Sequence, residues 1–158
     1  MFTIDTSVYI SALNPGESGS ATSQSFLNRI FNPLPAEGVT NSSANLTPIF
    51  SPTLLLVELA AAIARVFDDT TWGITFAESV RLLPGQVWIS LDEGLAEETA
   101  RLAAQHRLRG ADAVYGAVAK RHDAVLVTFD RQQLTRLKPA VTVWSPAEAL
   151  AHLNTQAD

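Results

Sequence analysis

Short apolar runs alternate with longer segments of helical hydrophobic spacing along most of this chain. The runs that are typical of buried strands lie at residues 2–5, 49–50, 86–91, 124–128 and 141–143. Helical spacing covers residues 6–13, 20–31, 54–67, 75–82, 92–108, 112–121 and 130–137, and a last helix is expected from Pro146. Strands that alternate with helices in this way predict a parallel sheet with helices on both faces.

Two helix starts are predicted from local chemistry. Thr6 or Ser7 is expected to cap the first helix, because hydroxyl side chains accept hydrogen bonds from the free N–H groups of a first turn. Ser51 followed by Pro52 is typical of a helix start, since proline fits the first helical turn. The helix predicted after them, at residues 54–67, is apolar nearly all round and is therefore expected to be buried.

One polar stretch interrupts the pattern. Residues 32–48 are rich in Pro, Asn, Ser and Gly and show no hydrophobic periodicity, so they predict a loop long enough to have a function. The stretch is too short and too central to separate two domains, and 158 residues match the size of one ordinary domain. We therefore expect a single domain over residues 1–158.

Composition and charge limit the classes of protein. Hydrophobic residues make up 47% of the chain and charged residues 17%, which is a globular rather than a disordered composition. No apolar run reaches the roughly 20 residues that span a bilayer, and no basic-then-apolar leader is visible, so a cytoplasmic protein without a membrane anchor is expected. The absence of cysteine excludes disulfides, thiolate metal sites and cysteine nucleophiles. The net charge of −5 argues against broad electrostatic binding of nucleic acid, but not against a nuclease whose acidic site is neutralised by metal.

Four acidic residues stand in positions that a protein core disfavours. Asp5 ends one apolar strand-like run and Asp130 comes after another, while Glu58 lies inside the apolar helix and Asp112 opens a later helix. A carboxylate beside a core is costly unless it is compensated, and a divalent cation compensates it well. Because the carboxyl ends of parallel strands meet at one edge of the sheet, Asp5 and Asp130 are expected to lie close together. These four acids are the candidate metal ligands and catalytic residues.

Helix capping is the alternative explanation for three of these acids, taken one at a time. Asp5 is able to cap the helix after it, Asp130 forms a capping-box pattern with Gln133, and Asp112 lies in a first turn where the helix dipole favours a carboxylate. Glu58 resists that explanation, because no basic residue lies one helical turn away from it. The partner of Glu58 must come from elsewhere in the fold or from a bound metal.

The kind of metal depends on the kind of ligand. Carboxylate oxygens without histidine or thiol favour hard cations such as Mg²⁺ or Mn²⁺. One or two such ions can polarise a phosphodiester and generate hydroxide near neutral pH. The four acids together therefore point to metal-assisted hydrolysis, although Asp5, Asp112 and Asp130, each taken alone, are explained as readily by a structural role.

Basic residues form two clusters in the second half of the chain. The first contains Arg101, Arg107 and Arg109, and the second contains Lys120, Arg121, Arg131, Arg136 and Lys138. For most of them the expected role is a solvated helix face.

Four motifs, in order along nearly the whole chain, resemble those of PIN-domain proteins, specifically the VapC-like toxin ribonucleases of prokaryotic toxin–antitoxin pairs. The first motif is Ile4-Asp5-Thr6-Ser7-Val8, and the second runs from Ser51 through Glu58 to Arg65. The third covers residues 108–119 around Asp112, and the fourth is Val127-Thr128-Phe129-Asp130-Arg131. The third and fourth motifs carry most of the resemblance.

The resemblance implies a three-layer α/β/α sandwich with a central parallel sheet of about five strands, and an endoribonuclease that depends on Mg²⁺ or Mn²⁺. It implies that Asp5, Glu58, Asp112 and Asp130 bind the metal. Ser7 and Thr128 are then candidates to orient carboxylates or water without binding the metal themselves. It also implies a homodimer and a cognate antitoxin that blocks the site, with a basic side chain entering the acidic pocket.

The chain departs from the resemblance in two places. The polar stretch at 32–48 is longer than the usual connection and lies where relatives often contact the antitoxin. Gln132 and Gln133 stand where some relatives carry another acid, which argues against a second strongly held metal. Two other functions stay open, a catalytically silent PIN-fold module that binds RNA or protein, and a phospho-accepting receiver domain with Asp92 as acceptor. The receiver domain is disfavoured because no lysine comes after the last predicted strand.

Overall fold

A computed structural model describes residues 1–32 and 46–155. The predicted loop at 32–48 lies mostly outside these described residues. Within them the strands are β1 (Phe2–Ile4), β2 (Ile49–Pro52), β3 (Gln86–Ile89), β4 (Val125–Val127) and β5 (Val143–Trp144). The helices are α1 (Thr6–Leu13), α2 (Ser20–Phe31), α3 (Leu54–Phe67), α4 (Thr70–Arg81), α5 (Glu93–His106), α6 (Gly110–Arg121), α7 (Arg131–Arg136) and α8 (Pro146–Thr155).

The five strands form one parallel sheet in the order β3-β2-β1-β4-β5. Helices flank this sheet: α6 packs on β1, β2 and β4, α8 packs on β5, and α3 packs against α4. The predicted fold class, a five-stranded parallel sheet between layers of helices, is confirmed. No helix in the described part of the chain is long and apolar enough to cross a bilayer.

The central strand β1 and its neighbour β4 are deeply buried in the sheet. Ile4, Leu126 and Val127 are fully buried and Phe2 is nearly so, as expected for strands covered on both faces. Phe2 also packs edge-on against Phe26 of α2, with ring centroids 5.7 Å apart. The apolar runs at β1 and β4 therefore form the centre of the core, and the residues directly after these two strands emerge at one edge of the sheet.

The predicted helix start at Ser51-Pro52 is wrong. Both residues belong to β2, where Ser51 pairs with Trp88 and Pro52 with Ile89 of β3. The helix begins at Leu54 after Thr53, whose backbone N–H still bonds to Ile89 O at 2.9 Å. A proline is compatible with both a strand end and a helix start, and pairing with a distant strand decides between them.

The prediction that α3 is wholly buried is also wrong. Leu55, Leu59 and Ile63 are fully buried, whereas Val57 and Val66 are 64% and 50% exposed. A nearly uniform apolar sequence does not show which face meets the core, so periodicity alone could not separate these positions.

The helix predicted at 75–82 begins five residues earlier, at Thr70. Asp69 caps it, because its Oδ1 accepts a hydrogen bond from Trp72 N at 2.8 Å. The cap extends α4 along α3, so that Gly73 lies against the α3 backbone.

Substituting Gly73 with alanine is expected to destabilise the α3–α4 pair. A Cβ there would lie 2.5 Å from the Ala60 carbonyl oxygen, which is backbone and cannot rotate away. We expect the free energy of unfolding to fall by about 1–3 kcal/mol, and the melting temperature by about 2–4 °C for each kcal/mol. Gly110→Ala is the matched control, because no atom lies within 4 Å of its Cβ position. Equal thermal unfolding of the two variants would contradict the close approach.

Candidate active site

The register of the sheet brings Asp5 and Asp130 to the same edge. Ile4 of β1 pairs with Val127 of β4, and Asp5 N donates to Val127 O at 3.0 Å. Asp5 comes directly after β1, and Asp130 lies three residues beyond the end of β4. The two strand ends are neighbours, so both carboxylates emerge at the carboxyl edge of the parallel sheet, where ligands bind in such folds.

Helices α3 and α6 bring the other two predicted acids to the same place. Asp5, Glu58, Asp112 and Asp130 all line one cavity of about 400 Å³. The cavity is also lined by Thr6, Ser7, Ala61, Ala62, Arg65, Arg109 and Phe129. The convergence predicted from the sequence is therefore present, with carboxylates from four separate segments of the chain.

Asp5 has two roles, one for each carboxylate oxygen. Its Oδ1 accepts a hydrogen bond from Ser7 N at 2.9 Å and caps α1, so the cap is Asp5 and not Thr6 or Ser7 as predicted. Its Oδ2 accepts from Gln133 Nε2 at 3.1 Å. The residue is only 6% exposed. Burial raises the pKa of Asp5, and the nearby negative charge of Glu58 raises it further, against the hydrogen bonds from Ser7 and Gln133.

The two carboxylate oxygens of Asp130 also have separate roles. Its Oδ1 accepts from the backbone N–H groups of Gln132 and Gln133, at 2.7 and 3.0 Å, and caps α7. Its Oδ2 accepts from Arg109 Nη2 at 3.0 Å. Only half of the predicted capping box is formed, because Asp130 N donates to Thr128 Oγ1 rather than to the Gln133 side chain.

Asp112 is held by the arginine that precedes it by three residues. Arg109 Nε donates to Asp112 Oδ2 at 2.7 Å, and Arg109 Nη2 lies 3.4 Å from Asp112 Oδ1. The hydrogen bond and the charge of Asp112 raise the pKa of Arg109. Arg109 therefore bridges Asp112 and Asp130 while its side chain stays 69% exposed, a role that its place in a basic cluster did not predict.

Glu58 finds its partners far along the chain, as its lack of a local partner predicted. The hydroxyls of Thr6 and Tyr115 lie 2.8 and 2.5 Å from Glu58 Oε2, and 2.7 Å from each other. Burial raises the pKa of Tyr115 well above its usual range, and the charges of Glu58 and Asp5 add to this effect. Tyr115 thus stays a neutral hydroxyl that can donate a hydrogen bond to the carboxylate.

Gln133 is the buried link between the acids, and sequence reasoning missed this role. Its fully buried side chain donates from Nε2 to Asp5 Oδ2, and lies 3.5 Å from Asp112 Oδ1. Its Oε1 has no hydrogen-bond partner among the described residues. An amide donor between two carboxylates stabilises their charged forms without adding a charge.

Ser7 and Thr128, the two residues predicted to orient the acids without binding the metal, differ in how they contact the site. Ser7 lines the cavity, donates its backbone N–H to Asp5, and accepts from Phe129 N at its Oγ at 3.1 Å. Thr128 is fully buried and contacts the site through the backbone of Asp130. Ser7 can thus orient Asp5 directly, whereas Thr128 fixes the turn that carries Asp130.

The donor chemistry of the cavity fits a hard divalent cation, because its ionisable acceptors are all carboxylates. Within residues 1–32 and 46–155, however, no three acidic or histidine side chains are grouped closely enough to hold a metal as they stand. Arg109 and Gln133 occupy the space between the carboxylates. Asp5, Glu58, Asp112 and Asp130 are the residues that would hold Mg²⁺ or Mn²⁺, once Arg109, the exposed one of these two donors, gives way.

Comparison with known proteins places the chain by sequence and by fold. A family model of the PIN domain matches residues 2–138. The structure is similar to FitAcB from Neisseria gonorrhoeae, with 18% identity, a TM-score of 0.63, and coverage of 92% of this chain and 98% of that chain. It is also similar to VapC20 from Mycobacterium tuberculosis, described as a sarcin-ricin loop cleaving toxin, with 17% identity, a TM-score of 0.62, and coverage of 83% and 91%.

A third similar structure is DNA-bound VapBC from Salmonella typhimurium, with 14% identity, a TM-score of 0.60, and coverage of 92% of this chain and 97% of that chain. No curated protein sequence is significantly similar to this chain. At these identities the structural likeness establishes the fold alone.

Asp5→Asn is expected to stabilise the metal-free protein at neutral pH. Because the pKa of Asp5 is higher in the folded than in the unfolded protein, the folded state holds the carboxyl proton more tightly. The free energy of unfolding therefore falls as the pH rises from the pKa of the unfolded state through that of the folded state. The total fall is about 1.4 kcal/mol for each pH unit between the two pKa values. Asparagine removes this loss and still caps α1. Thermal unfolding in EDTA from pH 4 to 8 should show a gain that grows with pH. A variant that melts below the wild type at pH 8 would contradict this balance.

Gln133→Glu is expected to destabilise the metal-free protein, because it places another acid between Asp5 and Asp112. We expect a loss of at least about 1–3 kcal/mol at pH 8, and a smaller loss at pH 5, where the new carboxyl can take up a proton. Gln132→Glu is the matched control, since it makes the same change at an exposed position of the same helix. Urea unfolding at both pH values measures the effect, and equal losses in the two variants would refute it.

Proposed function

This chain belongs to the PIN-domain family, and from that premise we propose that it is a divalent-metal-dependent endoribonuclease, the toxin of a toxin–antitoxin pair. The observation that carries the proposal is the cavity at the carboxyl edge of the sheet, where four carboxylates from four segments converge. Such a concentration of negative charge is costly for a fold, and it is useful where a cation has to be bound against a phosphodiester.

The proposed division of roles rests on the contacts of each residue. Asp5 and Asp130 line the cavity from positions fixed by capping bonds, and Asp112 and Glu58 line it from α6 and α3. When bound, Mg²⁺ or Mn²⁺ supplies charge stabilisation at the phosphate and a more acidic water. The carboxylates hold and orient the ion, while Ser7 fixes Asp5 and Thr128 fixes the turn before Asp130.

A second cavity supports a polymeric substrate rather than a small phosphate ester. This neighbouring groove, of about 620 Å³, shares Ser7 and Phe129 with the acidic cavity. Its remaining lining includes the hydroxyls of Ser18 and Thr22, apolar residues and the carboxylate of Glu17, and no basic side chain among the described residues. A groove of this chemistry suits a nucleobase or a sugar more than a phosphate, so an RNA strand can continue from one cavity into the other.

The proposed partners rest on the similar structures and on the exposed surface. FitAcB and VapBC belong to the similar structures reported above, and another of them is FitAB bound to a DNA fragment. A further one is named a toxin–antitoxin complex, from Klebsiella pneumoniae. In this chain apolar side chains are exposed on α3, at Val57 and Val66, and on α4, at Ile74, and a partner that contacts either helix would bury them. We propose a cognate antitoxin and a homodimer on this basis.

Cleavage of RNA is expected to require both the metal and Asp5. The purified wild-type protein should cut a labelled single-stranded RNA with Mg²⁺ or Mn²⁺ and stop in EDTA. Asp5→Asn should lower the rate by more than about 100-fold, because changes beyond the ligand sphere already cost 10–100-fold. Asp92→Asn is the matched control, since Asp92 also caps a helix but does not line the cavity.

Two results would contradict the proposal. Cleavage that persists in EDTA, or that Asp5→Asn leaves unchanged, would refute metal-dependent catalysis at this cavity. If the folded wild-type protein binds the same RNA with Mn²⁺ but cuts none of it, the catalytically silent PIN-fold module is the better description.

A further inference from the structure

Arg109 occupies the acidic cavity in the way that a bound cation would. Its guanidinium makes three contacts with two carboxylates, at 2.7 and 3.4 Å to Asp112 and at 3.0 Å to Asp130. The planar fork of a guanidinium suits such bridging, which a lysine ammonium cannot reproduce. Arg109 is also the N-cap residue of α6, yet its side chain makes no capping bond and is directed to the acids instead.

The four oxygens of Asp112 and Asp130 all have N–H partners. Arg109 contacts both oxygens of Asp112 and Oδ2 of Asp130. The remaining Asp130 Oδ1 accepts the capping bonds of α7. Each carboxylate oxygen has a second lone pair, but a metal ion that binds both acids brings its own positive charge beside the guanidinium. The ion therefore competes with Arg109 for Asp112 and Asp130, whereas the capping bonds hold the turn itself.

Displacement of Arg109 costs less free energy than disruption of the buried hydrogen bonds of Gln133 would. The Arg109 side chain is 69% exposed, against 12% for Asp112 and 24% for Asp130. Exposed ion pairs contribute little net stability, because water solvates the released charge. The released guanidinium stays tethered at the start of α6, at the rim of the cavity.

We propose that Arg109 exchanges partners during binding: it neutralises Asp112 and Asp130 while the site holds no metal, and it is released to the RNA phosphate when a divalent cation takes those carboxylates. This inference rests on the proposed nuclease function and assigns Arg109 as a substrate-binding residue that also lowers the affinity for metal. The same side chain thus couples the binding of the metal to the binding of RNA.

Arg65 provides a matched control for the loss of one positive charge. It lines the same cavity from α3, and within the described residues it forms no ion pair with the four acids. Arg65→Gln therefore removes the same charge without freeing any carboxylate oxygen. The difference between Arg109→Gln and Arg65→Gln isolates the bridging contacts from the general electrostatics of the cavity.

The first measurement is the binding of Mn²⁺ alone, monitored by isothermal titration calorimetry. We expect Arg109→Gln to bind Mn²⁺ about 2–10-fold more tightly than the wild type, in line with the loss of one exposed ion-pair network, and Arg65→Gln to show a clearly smaller change. Arg109→Lys keeps the positive charge but loses the planar guanidinium, so its affinity for Mn²⁺ should lie between those of the wild type and Arg109→Gln. If Arg109→Gln does not fold, Arg109→Lys carries the test by itself.

The second measurement is steady-state cleavage of RNA at saturating Mn²⁺. Because Arg109 is proposed to contact the substrate, Arg109→Gln should raise KM several-fold with a smaller effect on kcat, although it binds the metal more tightly. Tighter metal binding together with a higher KM is the signature of the exchange, since a purely structural role would move neither in this way.

The outcomes separate this inference from the function on which it rests. Equal or weaker Mn²⁺ binding by Arg109→Gln, or an equal gain in Arg65→Gln, overturns the exchange and leaves the metal-dependent nuclease intact. An unchanged KM also overturns it, because Arg109 would then compete with the metal without serving the substrate. No Mn²⁺ binding by any of these proteins overturns both the exchange and the proposed metal site.

Discussion

Asp5 and Asp130 each use one carboxylate oxygen to cap a helix and bond the other oxygen to a side chain of the site, Gln133 for Asp5 and Arg109 for Asp130. The capping bonds come from backbone N–H groups two or three residues away, so they form together with the helix and do not depend on what the cavity contains. Capping, which was the competing explanation for these acids, is therefore part of the means by which the fold builds the site.

The kind of group that hydrogen-bonds to the acids changes with depth in the fold. Deep in the site, the neutral amide of Gln133 links Asp5 with Asp112, where a second ion would be costly to desolvate. At the rim, the charged guanidinium of Arg109 joins Asp112 to Asp130 and remains in contact with water. The interior of the site is thus held rigidly, and its cationic partner is the component that can leave.

Sequence reasoning found the acids because their placement depends on local pattern and on strand topology. Asp5 and Asp130 come after apolar runs, and parallel pairing of adjacent strands is enough to bring them together. Tyr115 and Gln133 were missed as partners, because their contacts to Glu58 and Asp5 join residues 57 and 128 positions apart. Arg109 could have been found, since its spacing of three residues from Asp112 is a helical ion-pair spacing. The error at Ser51-Pro52 has the same origin as the missed partners, because pairing with β3 is a long-range contact.

The formal charge of the cavity argues for a single ion. Four carboxylates and two arginines, Arg65 and Arg109, line it, so full ionisation leaves a charge of about −2, which one divalent cation balances. A second cation would need a further anionic group, and Gln133 supplies a neutral amide at the centre of the acids. The phosphate of a bound RNA is such a group, and it would bring the formal total to about −3 whichever anion Arg109 contacts, so that a second ion would depend on the substrate. The substitution pattern of this chain, with glutamine among the acids and arginine beside them, therefore favours one strongly held metal.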